Sequence, residues 1–229
     1  MATLVLLVFV VIGSAFVSLA TRMGVPAVGL TLLSPALVLG GQVWRLLSWT
    51  FFELDGQNLV FGALMLGFFG RDLAAAWGGA RYLRVCIGIA FFAGGLTTLL
   101  GLAWGEVGRS QYLTIWPLAD ALTVAWALLF PNRTILFMFV LPAAGRNLLY
   151  ATLGITSLFA VMYGFSNFAP HFLAMGVMYV YIRGGAALAA QLKLNRLLAP
   201  KRNKAGFKVM DGGWNKDPGK GSNDSRWVH

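Results

Sequence analysis

Six long apolar segments follow one another along the chain, separated by shorter stretches that are polar or rich in Gly and Pro. At about 1.5 Å per residue, each is long enough to cross most or all of a hydrocarbon core about 30 Å thick. The fourth is the shortest, which predicts that one of its ends stops within the bilayer. The pattern therefore predicts an all-α membrane protein with six transmembrane helices. The segments cover residues 2–20, 58–76, 82–103, 114–130, 147–163 and 168–183.

The composition excludes an ordinary soluble domain, because 58% of the 229 residues are apolar and only 11% are charged. The run 2–20 is longer than the apolar region of a usual secretory signal and has no Lys or Arg before it, so it is predicted to be a transmembrane helix. Cys86 is the only cysteine, which rules out an internal disulfide and leaves no cysteine cluster for zinc. We expect neither a metal nor another cofactor.

The connector between the first two segments, residues 21–57, is too hydrophobic for a solvated loop and too rich in Gly and Pro for a span. We expect it to lie partly in the outer leaflet, with its backbone hydrogen-bonded by its own turns and by the helices it packs on. Trp44 and Trp49 are predicted to anchor it at the interface, and Arg45 to donate hydrogen bonds to its carbonyls. The alternative is a plain interfacial Trp-Arg pair.

Positive charge is distributed unevenly between the two ends of the segments. The richer side holds five arginines and the C-terminal tail, whereas Arg22, Arg45 and Arg109 fall on the other side. By the positive-inside rule the richer side is cytoplasmic, which predicts that both termini are cytoplasmic. The five arginines are Arg71, Arg81, Arg84, Arg133 and Arg146.

The chain is predicted to divide into a membrane domain, residues 1–184, and a cytoplasmic helical extension with a basic flexible tail, residues 185–229. Residues 183–229 hold ten basic and three acidic side chains, and the composition beyond Pro200 is typical of disorder. This charge suits contact with anionic lipid. Nucleic acid is not an expected partner, because basic and aromatic residues are not interleaved and no nucleic-acid-binding module is recognisable.

Several motifs, in order over about residues 1–184, resemble the rhomboid family of intramembrane serine proteases and its inactive relatives. Trp44-Arg45 looks like the Trp-Arg pair of the rhomboid first loop. The stretch Asn58-Leu-Val-Phe-Gly62, followed by Gly70-Arg-Asp-Leu73, is similar to the second helix, where His-x-x-x-Asn precedes a Gly-Arg-x-Leu ending. Gly79-Ala-Arg-Tyr-Leu-Arg84 resembles the start of the third helix. The resemblance implies a six-helix rhomboid-like bundle with a long membrane-embedded first loop.

The sixth segment carries His171, the only histidine apart from the terminal His229. An ionisable group within a membrane-length segment is costly and by default marks a functional site. The surrounding sequence is similar to the sixth rhomboid helix, in which the catalytic His is followed by glycines three and seven residues on. Ala174 and Met178 stand at those positions, and Met178 is expected to push the sixth helix away from the fourth or to be accommodated by a gap.

The resemblance also implies what proteolysis would require: a Ser in a Gly-x-Ser-Gly opening of the fourth helix, the His as general base, and oxyanion donors that come partly from His and Asn of the second helix. The nucleophile position falls on Trp116 when it is counted from Pro131, and on Ala119 when the small residues are matched. Neither residue has a hydroxyl or thiol. Asn58 stands at the His position of the second helix, and Gly62, which has no side chain to donate, at the Asn position.

Asp120 and His171 are expected to face each other across the fourth and sixth helices, because a buried carboxylate and a buried imidazole each need a partner. Asn167, one turn before His171, is expected to join them on the same face. The alternative is that Asp120 caps the start of the fourth helix in water and that His171 bonds to a carbonyl. Thr114 is a nearby hydroxyl, but the Gly-rich turn that exposes a nucleophile is missing there.

The resemblance and these substitutions together predict a rhomboid-like protein of a bacterial inner membrane that has lost its nucleophile. It is expected not to be an enzyme and to bind or route the transmembrane segments of client proteins, with the lipid bilayer as its other partner. The alternative function is an active rhomboid-type intramembrane serine endopeptidase.

Overall fold

The computed structural model describes residues 1–137 and 141–198. Within these residues there are six long helices and four short ones, and each of the six predicted apolar segments falls on one long helix. The long helices are α1 (Ala2–Arg22), α5 (Gly56–Trp77), α6 (Gly79–Ala103), α8 (Trp116–Leu129), α9 (Gly145–Tyr163) and α10 (Phe165–Leu198). The short helices are α2 (Ala27–Thr31), α3 (Pro35–Leu39), α4 (Arg45–Ser48) and α7 (Gly105–Arg109).

Three of the described helices, α1, α5 and α6, are long and apolar enough to cross a membrane. Helix α8 is apolar but has only 14 residues, which corresponds to about 21 Å and is shorter than a hydrocarbon core of about 30 Å. The structure therefore supports a helical integral membrane protein with three candidate spans of full length.

The ends of the long helices follow from local sequence. Asp55 caps α5, because its carboxylate accepts a hydrogen bond from the Asn58 backbone N–H at 2.8 Å. Gly78, with φ of 83°, ends α5 and allows α6 to begin one residue later. Gly164, with φ of 98°, joins α9 to α10 in the same way. These two turns reverse the chain within one or two residues.

Helix α8 lies at the centre of the packed helices. Nearly all of its side chains are buried, and they contact side chains of α5, α6 and α9. Leu118, Leu122 and Trp126 are completely or almost completely buried, as are Leu66 and Phe69 of α5. A helix that is apolar on all sides is expected at the centre of such a bundle. A charged side chain on α8 therefore needs a partner from a neighbouring helix.

The connector between α1 and α5 contains α2, α3 and α4 and is fastened by hydrogen bonds. Arg45, whose surface is only 3% exposed, donates to the Leu32 carbonyl at 2.7 Å and to the Gln42 side-chain oxygen at 2.7 Å. Burial lowers the pKa of Arg45, and these two acceptors offset part of that desolvation. The Trp44 indole, half exposed, donates to the Leu30 carbonyl at 3.2 Å.

Trp49 does not lie at an interface, contrary to the prediction from the sequence. Its side chain is completely buried, and its indole N–H is directed at the carbonyls of Leu46 (3.2 Å) and Ala90 (3.1 Å). Gly94 leaves the space that the indole occupies, because a Cβ at this position would lie 2.9 Å from the indole nitrogen. The prediction was wrong because a partner 41 residues away satisfies the indole N–H.

The fold is not purely α-helical. Strands β1 (Thr134–Phe137) and β2 (Leu141–Ala144) form an antiparallel hairpin between α8 and α9, with Thr134 opposite Ala144 and Phe137 opposite Leu141. The prediction of an all-α protein missed this hairpin, because a four-residue run such as Thr-Ile-Leu-Phe is too short for its periodicity to distinguish a strand.

The chain divides into two units, Met1–Ala190 and Gln191–His229. The predicted boundary lies six residues earlier, between residues 184 and 185. In the second unit the described residues are helical and end at Leu198. The predicted flexible tail beyond Pro200 lies outside the described residues.

Candidate functional site

The centre of the site is a hydrogen bond between a carboxylate on α8 and an imidazole on α10. Oδ2 of Asp120 lies 2.7 Å from Nδ1 of His171, and the two side chains are 14% and 11% exposed. An ionised carboxylate can only accept a hydrogen bond, so in that state the proton between these atoms is carried by Nδ1. The structure thus brings together two of the three residues that were expected to form a polar network.

The imidazole of His171 has two further features that bear on its chemistry. Its ring packs against Phe168, one turn earlier on α10, with the ring centroids 4.9 Å apart and an angle of 34° between the planes. Among the described residues, no hydrogen bond engages its second nitrogen, Nε2. Because the two ring nitrogens are distinct, Nε2 stays available to donate or accept while Nδ1 bonds to Asp120.

Asn167 lies outside this pair. Its side-chain amide donates to the Tyr163 carbonyl at 2.9 Å, four residues earlier, and so fastens the turn between α9 and α10. The alternative role of Asp120 as a cap does not match the geometry either, because α8 begins at Trp116 and has no side-chain cap. Asp120 is in the second turn of the helix, where its carboxylate faces His171.

Neither candidate position for a nucleophile provides one. Trp116, half-buried, is the first residue of α8, and Ala119 is buried in its first turn. The Thr114 hydroxyl donates to Oε2 of Glu53 at 2.7 Å, and the Thr123 hydroxyl donates to the Ala119 carbonyl at 2.8 Å. Within the described part of the chain, no hydroxyl or thiol is hydrogen-bonded to His171.

Asn58 and Gly62, the two positions on α5 that the sequence resemblance matched to oxyanion donors, lie in different surroundings. Asn58 is exposed in the first turn of α5, and its backbone N–H donates a hydrogen bond to the Asp55 carboxylate. Gly62 is buried against Ile115, and a Cβ at this position would collide with the Cγ2 methyl of that residue. An isoleucine methyl therefore occupies the volume that a side chain at position 62 would need.

Glu53 is a buried carboxylate, bonded to the segment that leads into α8, that sequence reasoning missed. Its side chain is buried, with the residue 6% exposed, and it accepts hydrogen bonds from Thr114 Oγ1 (2.7 Å) and from the backbone N–H groups of Leu54 (3.1 Å) and Asp55 (3.3 Å). Its own N–H donates to the Ser14 hydroxyl of α1 at 3.0 Å. Glu53 thus links α1, the end of the connector and the segment that leads into α8. The only local sequence feature that could have indicated its role is that Glu53 directly follows two phenylalanines, in Phe-Phe-Glu-Leu-Asp.

Asp72 of α5 was also missed, and it joins α5 to the other end of α8. Its carboxylate accepts from the buried indole N–H of Trp126 at 2.9 Å and from the Arg133 guanidinium at 2.9 Å. Asp72 belongs to the Gly-Arg-Asp-Leu ending of the second predicted segment. The sequence feature that could have revealed Asp72 is a charged residue inside a predicted span, near the end of that span.

Helix α10 is fastened near both ends of the segment that carries His171. The Tyr112 hydroxyl donates to the Ser166 carbonyl at 2.8 Å, and burial raises the pKa of Tyr112. At the other end, the Arg81 guanidinium donates to the Tyr181 hydroxyl at 3.0 Å. Between these points Ala174 and Met178 are completely buried. Within the described residues, no group of three or more His, Cys, Asp or Glu side chains is placed to hold a metal ion.

Apolar helices around a buried centre, with few charged groups inside it, define a helical integral membrane protein. Residues 1–183 match the model of a family described as eukaryotic integral membrane proteins (DUF1751), and the chain belongs to this family. No curated protein matches the chain. The family's eukaryotic description corrects the expectation of a bacterial inner membrane, whereas localisation in a membrane stands. The sequence pattern could not distinguish the two, because a bilayer imposes the same hydrophobic lengths in both.

Proposed function

We propose that the chain is a rhomboid-like membrane protein without proteolytic activity that binds the transmembrane segments of client proteins. The rhomboid-like part of this proposal includes six crossings of the bilayer, with α8, α9 and α10 added to the three candidate spans. It is supported by the order of the helices and by the position of the motifs within them. Asn58 and Gly62 lie at the start of α5, Gly79 begins α6, and His171 on α10 faces α8.

The observation that carries the absence of proteolysis is the environment of His171. A serine protease needs a hydroxyl within hydrogen-bond reach of its general base. Here the described partner of the imidazole is the Asp120 carboxylate, which offers no hydroxyl proton for the imidazole to remove. Thr114, the hydroxyl closest in sequence to the start of α8, is already bonded to Glu53.

The contact between Gly62 and Ile115 supports the same conclusion independently. Stabilising an oxyanion requires preorganised donors aimed at the place where negative charge develops. In this protein an aliphatic side chain fills the space beside the glycine at that position. Hydrocarbon in this place offers no donor and excludes the carbonyl oxygen of a substrate.

Two features favour client binding over a purely structural role. Helix α8 is about 9 Å shorter than a typical hydrocarbon core, so one of its ends stops within the bilayer, at a depth that a client segment also reaches. Asp120 and His171 also retain some exposure, and Nε2 of His171 has no described partner. A client segment with a polar residue near its middle would gain a hydrogen bond at this place that lipid cannot provide.

Photo-crosslinking in native membranes tests client binding. A photoreactive residue at Trp116 is expected to capture transmembrane segments of a small set of proteins, with the crosslinks mapped inside those segments by mass spectrometry. The matched control is the same residue at Phe16 of α1, which is 69% exposed. Capture of the same proteins with equal yield at both positions would contradict a specific binding site, as would the complete absence of protein crosslinks at Trp116.

A further inference from the structure

An open groove of about 410 Å³ lies between α6 and α10, beginning about two turns of α10 beyond His171. Its walls are mainly apolar, and its residues on α6 recur at helical spacing from the first turn to the middle of that helix. Tyr181 and Val177 of α10 form the opposite wall. The lining residues that would determine which ligand fits are Arg81, Arg84, Gly88, Phe92, Val177 and Tyr181.

One end of the groove is positively charged. Arg81 and Arg84 are in the first two turns of α6, and both are exposed. Arg81 uses Nε to bond to the Tyr181 hydroxyl, and its guanidinium lies 5.8 Å from the centre of that ring. Arg84 uses Nε to bond to the Ala80 carbonyl at 3.3 Å. Within the described residues neither arginine is paired with a carboxylate, so the terminal N–H groups of both can face an anion.

The length of the groove matches one leaflet of a bilayer. Phe92 is 11 residues after Arg81 on the same helix, which corresponds to about 16 Å, close to half of a hydrocarbon core of about 30 Å. The wall is open at Gly88, where an added Cβ would meet no atom within 4 Å. A slot with charge at the membrane surface and hydrocarbon walls to the midplane fits a lipid molecule better than a helix that crosses both leaflets.

We propose that this groove binds one anionic glycerophospholipid from the leaflet on the arginine side. Its headgroup anion lies against Arg81 and Arg84, and one acyl chain runs past Gly88 towards Phe92. The charge distribution of the chain predicts that this end of α6 is cytoplasmic, and the cytoplasmic leaflet is the one rich in anionic lipid. This site is separate from the basic C-terminal tail and from the Asp120–His171 pair.

The test uses the purified full chain in nanodiscs that contain a phosphatidylserine with a photoreactive group on its acyl chain. Labelled peptides are expected from both walls of the groove, around Gly88 of α6 and around Val177 of α10. Replacing both groove arginines, R81Q/R84Q, is expected to lower this labelling about thirtyfold, because each of the two basic residues near the membrane surface contributes about 1 kcal/mol to attraction. Gly88→Phe is expected to lower it to a similar extent by filling the slot.

Two matched variants control for charge and for bulk. Arg71→Gln removes an exposed arginine of α5 on the same predicted side, and Gly95→Phe adds the same side chain to α6 at a glycine where a Cβ would also meet nothing. Both are expected to keep wild-type labelling. Size-exclusion profiles and circular dichroism of all variants show whether each is folded. The arginine variant decides the question if Gly88→Phe does not fold.

Labelling by a second lipid and two competition experiments distinguish binding of a whole anionic lipid from binding of its headgroup anion alone. Equal labelling by a photoreactive phosphatidylcholine would overturn the proposal, because the arginines would then contribute no selectivity. Displacement of the photoreactive phosphatidylserine by millimolar inorganic phosphate, or unchanged labelling in R81Q/R84Q, would also overturn it. Displacement by unlabelled phosphatidylserine but not by phosphate supports a site that needs both the anion and the acyl chain.

Discussion

Nδ1 of His171 lies 2.7 Å from Oδ2 of Asp120, so the imidazole of α10 is held by a carboxylate of the central helix. The geometry resembles the part of a catalytic triad in which an acid orients a histidine, but no described hydroxyl takes the third place. What remains is a polar contact between two helices in an otherwise apolar region. This contact accounts for why an ionisable residue is tolerated there.

The Asp120–His171 contact predicts strong coupling between the two side chains. Asp120→Ala and His171→Ala are each expected to lower the free energy of unfolding in detergent by about 1–3 kcal/mol, because each leaves the other group without its partner. The double variant should be less destabilised than the sum, with a coupling energy of about 1 kcal/mol or more. Thermal or denaturant unfolding of the four proteins measures it.

Asn167→Ala is the matched control for this cycle. Its amide bonds to Tyr163 and not to the pair, so its effect should add to that of His171→Ala within about 0.5 kcal/mol. Strict additivity of Asp120→Ala and His171→Ala would show that the contact contributes nothing, whatever its length.

The packing of Ile115 against Gly62 predicts that the asparagine of active rhomboids cannot be introduced here without cost. Gly62→Asn is expected to destabilise the protein by about 1–3 kcal/mol, because its Cβ would overlap the Ile115 methyl. In a chain that carries Ile115→Ala, the additional cost of Gly62→Asn should be smaller than in the wild-type chain. The unfolding midpoints of the single and double variants provide the measurement.

Gly67 of the same helix offers the comparison. A Cβ there would make an ordinary contact of 3.4 Å with Leu7, so Gly67→Ala should be neutral or stabilising by up to about 1 kcal/mol. Equal tolerance of Gly62→Asn and Gly67→Ala would mean that the space beside position 62 is not filled as described.

Because Glu53 is buried and bonded to Thr114, we predict that the position of the segment leading into α8 depends on this carboxylate of the connector. Glu53→Gln keeps the size of the side chain but replaces one acceptor oxygen by an N–H donor, so the single remaining oxygen cannot accept from both the Thr114 hydroxyl and the two backbone N–H groups. A loss of about 1–3 kcal/mol in unfolding free energy is expected. Glu106→Gln, an exposed residue of α7, should change it by less than about 0.5 kcal/mol. Similar small effects of both substitutions would argue against a structural role for Glu53.

Asp72 accepts hydrogen bonds from Trp126 and Arg133, and we predict that these two donors contribute unequally to the free energy of unfolding. Trp126→Phe removes a buried indole N–H and leaves the carboxylate short of a partner, with an expected cost of about 1–3 kcal/mol. Arg133→Gln removes an exposed ion pair and should cost less than about 1 kcal/mol. Urea or thermal unfolding of the two variants ranks them, and the reverse ranking would contradict the assignment of Asp72 to the packing of α8.

The sequence predicted the positions of the long helices because the bilayer imposes length and hydrophobicity on each segment separately. It also led to the expectation that Asp120 and His171 meet, since two ionisable groups in apolar helices leave few other partners. It could not place Trp49 or Glu53, whose partners are Ala90, Thr114 and Ser14, from 39 to 61 residues away in sequence. Such contacts depend on how the connector folds back onto the helices, and no local pattern encodes that.

The central claim, that no side chain of this protein attacks a carbonyl with His171 as its base, is tested most directly by a fluorophosphonate probe. The purified full chain in detergent is incubated with the probe together with an active serine hydrolase as a positive control, and labelling is followed by intact-mass spectrometry. The account predicts that the hydrolase is labelled and that the mass of this protein is unchanged. Stoichiometric labelling that disappears in His171→Ala, with the modified residue mapped to a serine or threonine, would contradict it.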